Sequence, residues 1–253
     1  MAEDLFATPL FHVMLIFTRL GFAFMLLPGF GAAYVTPRVR LAFAFPFALV
    51  ITPLVGPMLP PEPDSGTALV MLLVGEVLIG TFLALVVHLL QAALHLGGTA
   101  IGFAGGLMNA QAFDPTSAQH GALVLTFLMM VGLVLMFALN LHHLIIRALV
   151  DSYALFPPGV LPPLGDFVSY STDVLVRSFR VGWQLAAPMV LFSIVYYVSM
   201  GIMARLMPQM NVFFVGLPLI IMLGLGLLFL TLPAVMLVYL SYFEEGLNSF
   251  ISF

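Results

Sequence analysis

Long apolar runs without strict alternation, separated by short knots of proline, glycine and charge, set the pattern of this chain. Such runs predict α-helices, because a helix satisfies its own backbone hydrogen bonds in a medium that offers no water. Six hydrophobic units can be read. The first covers residues 10–34 and closes in LLPGFGAAYVTPR, where Pro28, Gly29, Gly31 and Pro37 form a turn cluster ahead of Arg38 and Arg40. The second, residues 41–59, stops at PMLPPEPDSG, a loop no helix continues through. Units three and four, residues 67–96 and 123–150, flank a glycine-rich segment, and units five and six cover 173–207 and 211–243. A helix of about 30 residues reaches roughly 45 Å, beyond a hydrocarbon core of about 30 Å. The longer helices must tilt, kink or stand partly outside lipid, and Pro188, Pro218 and Pro233 are placed to kink the last two.

Composition makes the class definite. The chain is 62% hydrophobic and 7% charged, with a mean hydropathy of +1.18, whereas soluble domains carry about 25% charged residues. It reads as an all-α membrane protein of long, kinked helices in hairpins, with residues 1–253 forming one membrane-integral domain. Every basic residue is arginine and the net charge is −4, so no nucleic-acid partner is expected. The lack of cysteine excludes disulfides, thiolate metal sites and thiol nucleophiles. The opening MAEDLFATPL places Glu3 and Asp4 where a removable signal peptide needs positive charge, so none is expected. Six spans put Arg38, Arg40 and Arg205 on one side and Arg147, Arg177 and Arg180 on the other, a tie under the positive-inside count. Both termini are placed outside the cytoplasm. No fixed-period repeat is present, and the longest polar connection, DSYALFPPGVLPPLGDFVSYSTD, is too short for a soluble domain.

Ionisable groups inside apolar spans are costly enough to need a reason. Glu76 lies in LVGEVLIGTF with no basic residue in its own helix, and Arg19 is its internal partner candidate. The pair is either a structural lock or a proton-carrying site. The six histidines do not assemble a site by spacing: His88 and His95 share one face, while His142 and His143 are adjacent and point apart. HExxH, GxSxG and GxxxxGKS are all missing. No catalytic constellation, metal site or cofactor is therefore expected.

The segment GGTAIGFAGGLMNAQAFDPTSAQHG (97–121) is more informative. Gly98, Gly102 and Gly106 fall at i, i+4 and i+8, a stripe that lets another backbone approach closely. Beyond it, Leu107, Met108 and Phe113 stand among Asn109, Gln111 and Asp114. This is either a tight connection packed on neighbouring helices, or a re-entrant loop whose Met108 and Phe113 form an apolar constriction. A second polar interruption, RLMPQMNVFFVGLP, reads as a hairpin turn. Arg205 suits the carbonyl end of helix five, Pro208 and Gln209 turn the chain, and Asn211 can cap helix six.

The run ARLMPQMNVFFVGLPL (204–219) resembles the signature of the FliR family of bacterial flagellar export-gate proteins, related to the SctT proteins of injectisomes. RLGFAFMLLPGFG, the VR of Val39 and Arg40, GEVLIG, GLMNAQAFDP, NLHHLIIRALVDSYALFPPG and AAPM agree in order along the chain. The resemblance implies a subunit of a helical hetero-oligomeric gate with FliP-like and FliQ-like subunits, with FlhB-like and FlhA-like proteins nearby and unfolded export substrates passing through. It implies a FliP-like front part (1–165) and a FliQ-like hairpin (166–253), whose turn and Phe213 touch other subunits. It also implies that the loop around Gly106, Leu107, Met108, Asn109, Phe113 and Asp114 plugs the closed gate. The expected location is the bacterial inner membrane, at the flagellar basal body. An injectisome gate subunit and a proton or solute transporter are the alternatives. The transporter reading would want corresponding broken helices in two halves, and these are not found.

Overall fold

A computed structural model describes residues 2–29, 35–106, 123–160, 162–209 and 212–251. The helices in chain order are α1 (Ala2–Leu26), α2 (Pro37–Val55), a 3-10 turn (Gly56–Met58), α3 (Gly66–Ala104), α4 (Leu123–Ala138), α5 (Leu141–Leu155), α6 (Leu164–Leu206) and α7 (Val212–Ile251). Among the described residues there is no strand. Four helices are long and apolar enough to cross a membrane, and α4 with α5, bent by 73°, makes a fifth candidate.

The helix ends follow local chemistry, and they correct several boundaries expected from hydropathy. Helix α1 stops at Leu26, not at residue 34, because Pro28 follows and Gly29 turns the chain at φ 87°. Arg40 closes that end by donating from Nη1 to the Met25 carbonyl (3.1 Å) and from Nη2 to the Val35 carbonyl (2.8 Å). Proline at the first position opens α2. Helix α3 runs on to Ala104, past the expected end at residue 96, since Gly97 and Gly98 are tolerated inside a helix that buries its surface by close contact. The connection before the fifth unit is mostly helix: α6 starts at Leu164, directly after Pro163, and runs to Leu206 with Pro188 accommodated inside it. Asp166 sits in its first turn, where an acid suits the dipole. Helix α7 likewise continues to Ile251 rather than ending near residue 243.

The fourth unit is broken where hydropathy shows nothing. Asn140 adopts the left-handed conformation, φ 60° and ψ 20°, and is the only non-glycine residue with positive φ among those described. Asparagine tolerates this conformation better than residues with bulkier side chains.

By packing, the chain separates into two compact units. One comprises residues 1–90, 140–174 and 245–253; the other comprises residues 91–139 and 175–244. The units cut across the division into front part and hairpin, because α3, α6 and α7 each contribute to both. In the first unit α1 and α2 pack through aromatic rings, with Phe24 and Phe47 centroids 5.5 Å apart. In the second, Gly182 on α6 lies against the Ala93 carbonyl of α3, where a Cβ would come within 2.9 Å of that oxygen.

Asn140→Gly should keep the bend and the thermal midpoint of the detergent-purified chain. Asn140→Val should lower stability by about 1–2 kcal/mol, the cost of a left-handed residue with a branched side chain, read as a lower midpoint in the same melt.

Candidate functional site

Arg19 is fully buried (0% exposed) in α1, and Glu76 (1%) is buried in α3. The guanidinium grips the carboxylate with two bonds, Nε to Oε2 at 2.6 Å and Nη2 to Oε1 at 3.1 Å. Two of its three remaining N–H groups are also used: Nη1 donates to Ser152 Oγ (3.1 Å), and Nη2 donates to the Phe156 carbonyl (3.0 Å). The Ser152 hydroxyl in turn donates a hydrogen bond to the Leu149 carbonyl (2.7 Å). The Tyr153 ring lies under the guanidinium, 3.8 Å from its carbon to the ring centroid. One arginine thus joins α1, α3, α5 and the chain just after α5.

Gly80 makes the arrangement possible. It stands one turn beyond Glu76 on α3, so both face the same way, and a Cβ there would collide with the Arg19 carbonyl oxygen. The two backbones meet at Gly80, and the long side chain of Arg19 reaches Glu76 without stretching. Beside the pair, the rings of Phe82 and Phe167 stack with centroids 3.7 Å apart. Phe156 packs edge-on against Phe167 at 5.1 Å. These rings fasten the first turn of α6 to α3 next to the charges.

The second expected site, the loop after α3, is described only at its roots. Leu107, Met108, Asn109, Gln111, Phe113 and Asp114 lie outside the described residues. Gly98 faces α4, where a Cβ would come within 3.3 Å of the Leu125 Cα and 3.1 Å of its side chain. Gly102 has ordinary room, with Val124 at 3.8 Å. Gly106 lies past the helix end, so it does not extend the stripe as a third helical position. Its φ of +72° and the bond from its N–H to the Phe103 carbonyl (3.1 Å) form a glycine C-cap. A Cβ on Gly106 would meet Ile220 of α7 at 2.7 Å, and Gly224 faces the Gly105 backbone with 2.9 Å to its carbonyl oxygen. The loop therefore leaves α3 from a point clamped to α7 by glycine on both sides.

At the hairpin turn, Arg205 occupies the last turn of α6 and Pro208 and Gln209 follow in a turn. Asn211 lies outside the described residues, and Phe213 belongs to the first turn of α7. Near the tip, Tyr196 Oη donates to the Gly216 carbonyl (2.6 Å), and Phe214 is 80% exposed.

Of the residues singled out from sequence, the fold brings Arg19 and Glu76 together and puts Gly98 and Gly106 at close contacts. Ser152, Tyr153, Gly80, Gly182 and Gly224 were missed. A glycine within an apolar helix is a signal for the last three; a serine and a tyrosine in such a helix carry none until their neighbours are known. Among the described residues no group of three or more His, Asp or Glu could hold a metal.

Long apolar helices whose interior polar groups are spent on joining helices define a polytopic helical membrane protein. The chain matches the bacterial export proteins, family 1, over residues 10–246, and it belongs to that family. It is 37% identical to the flagellar biosynthetic protein FliR of Caulobacter vibrioides, over 93% of this chain and 94% of that protein. The FliR of Bacillus subtilis is 29% identical over 91% of this chain and 90% of its own. That of Aquifex aeolicus is 26% identical over 95% and 93%.

Arg19→Met should leave a buried, unpaired carboxylate and cost about 3–5 kcal/mol, while Arg19→Met combined with Glu76→Met should recover most of that loss. Denaturation of the purified variants in one detergent measures both.

Proposed function

We propose that this chain helps to form and close the conduit through which unfolded flagellar proteins are exported. It is a component of the bacterial flagellar type III export apparatus, seated in the inner membrane and working with the other proteins of that apparatus. The observation that carries this is the match along nearly the whole chain to relatives named flagellar biosynthetic protein FliR. These names speak against the injectisome alternative.

Within the apparatus we assign FliP-like and FliQ-like subunits as direct neighbours and FlhB-like and FlhA-like proteins as further partners. The closing element is the loop carrying Met108 and Phe113. What supports this is its setting: apolar side chains on a short segment whose root is clamped at Gly105 and Gly106 against α7. A clamped root holds a plug in place without holding its tip, and a methionine side chain can seal against an irregular surface and yield.

Arg19 and Glu76 act as a structural lock in this reading. A proton carrier must load and release its proton, whereas both oxygens of Glu76 are held by a fully buried guanidinium. The transporter alternative loses its best candidate residue on that ground. No catalytic step is assigned to the chain.

Deleting residues 108–114 should make cell membranes permeable to ions while the complex still assembles. Conductance equal to that of the wild type, with the complex intact, would overturn the plug.

A further inference from the structure

Helix α6 presents an exposed face whose character changes partway along. Arg177, Arg180 and Gln184 are all exposed and fall at i, i+3 and i+7, on one face. The same face continues through Leu191, Val195, Val198 and Ile202, all exposed and all apolar, until Arg205. That apolar stretch of about 20 residues is roughly 30 Å long, one hydrocarbon thickness. The polar stretch before it is of another kind. Among the described residues neither Arg177 nor Arg180 has an ion-pair partner.

Neither lipid nor water suits the polar stretch. Lipid would have to solvate two unpaired guanidinium groups, which is costly. Water would have to cover Val176, Phe179 and Trp183, of which Phe179 is 56% and Trp183 47% exposed on the flank of the same face. On α7 the hydrogen bond between Ser178 and Tyr242 (2.7 Å) fixes the level, and about one turn away Leu237 is 69% exposed. Arginine beside large aromatic and aliphatic side chains, exposed together, is the composition of a protein interface core.

We propose that Arg177, Arg180 and Gln184, flanked by Val176, Phe179 and Trp183, form a docking surface for a helix of a neighbouring subunit that presents at least one carboxylate amid apolar residues. The two cations demand the acid, and the flanking side chains demand an apolar helix around it. A guanidinium can hold a carboxylate through two parallel bonds, so the pair would also set the register between the helices. This rests on the reading of the chain as one subunit of a multi-protein apparatus.

The chain has no cysteine, so single cysteines at positions 177, 180 and 184 test the surface directly with a membrane-impermeant maleimide. In membranes with the complete export apparatus the three thiols should be shielded, and they should react when this chain is made without the other subunits. Reaction in both states means open water and reaction in neither means lipid; either result overturns the docking surface. Separately, Arg177→Glu with Arg180→Glu should lose co-purifying export subunits, while Arg177→Lys with Arg180→Lys keeps them in part, both with unchanged thermal melts. Undiminished co-purification of the glutamate variant also overturns the surface while leaving the apparatus reading intact. If the wild-type chain itself brings down no export subunit, both fall.

Discussion

Arg19 carries more of this structure than any other side chain. An arginine buried among apolar helices is tolerable only if its charge and its N–H groups are met, and here a carboxylate, a hydroxyl, a main-chain carbonyl and an aromatic face meet them. The carboxylate comes from α3 and the other partners from Ser152 to Phe156 at the end of α5, so one demand for solvation fixes α1, α3 and α5 against one another. Between apolar helices in an apolar solvent, burial of hydrocarbon supplies little preference for one arrangement. Polar contacts and close backbone approach must supply it.

Glycine supplies the close approach. Gly80 brings the α1 and α3 backbones together where Arg19 must reach Glu76, and Gly105 meets Gly224 where the loop departs from α3. Both depend on a missing Cβ, and both sit beside a group with a role: a charge lock in one case and the root of the proposed plug in the other. Helix ends are handled by the same economy of means. Arg40 bonds the Met25 carbonyl in the last turn of α1 and the Val35 carbonyl beyond it, and Gly106 caps α3 in a left-handed conformation.

The polar residues of the chain fall into those that hold the fold and those that meet something else. Glu76 belongs to the first kind once its partner is seen. The exposed arginines of α6 are assigned to the second, since no ion-pair partner for them exists among the described residues, and the loop of Met108 and Phe113 joins them only as the proposed plug. Membership of an export-protein family is consistent with the proposed use of those arginines: a component that works with other export proteins keeps part of its surface for them.

The linear sequence determined the class, the number of hydrophobic units, the turn at Pro208 and the identity of the two interior charges, because hydropathy, proline and ionisable groups are legible one residue at a time. It placed helix ends less well: the stretch before Asp173 is polar enough to pass for a loop, yet Phe167 is buried along it and Val174 just beyond it, and burial of one face is enough to sustain a helix. The break at Asn140 was invisible because asparagine between apolar residues is compatible with either a helix or a left-handed turn. Only the tertiary structure decided that Arg19 meets Glu76, that Ser152 and Tyr153 complete the pair, and that Gly80 rather than Gly75 is the contact glycine. Those outcomes depend on which helix faces meet. Apolar helices leave that choice open until the few polar and glycine contacts close together.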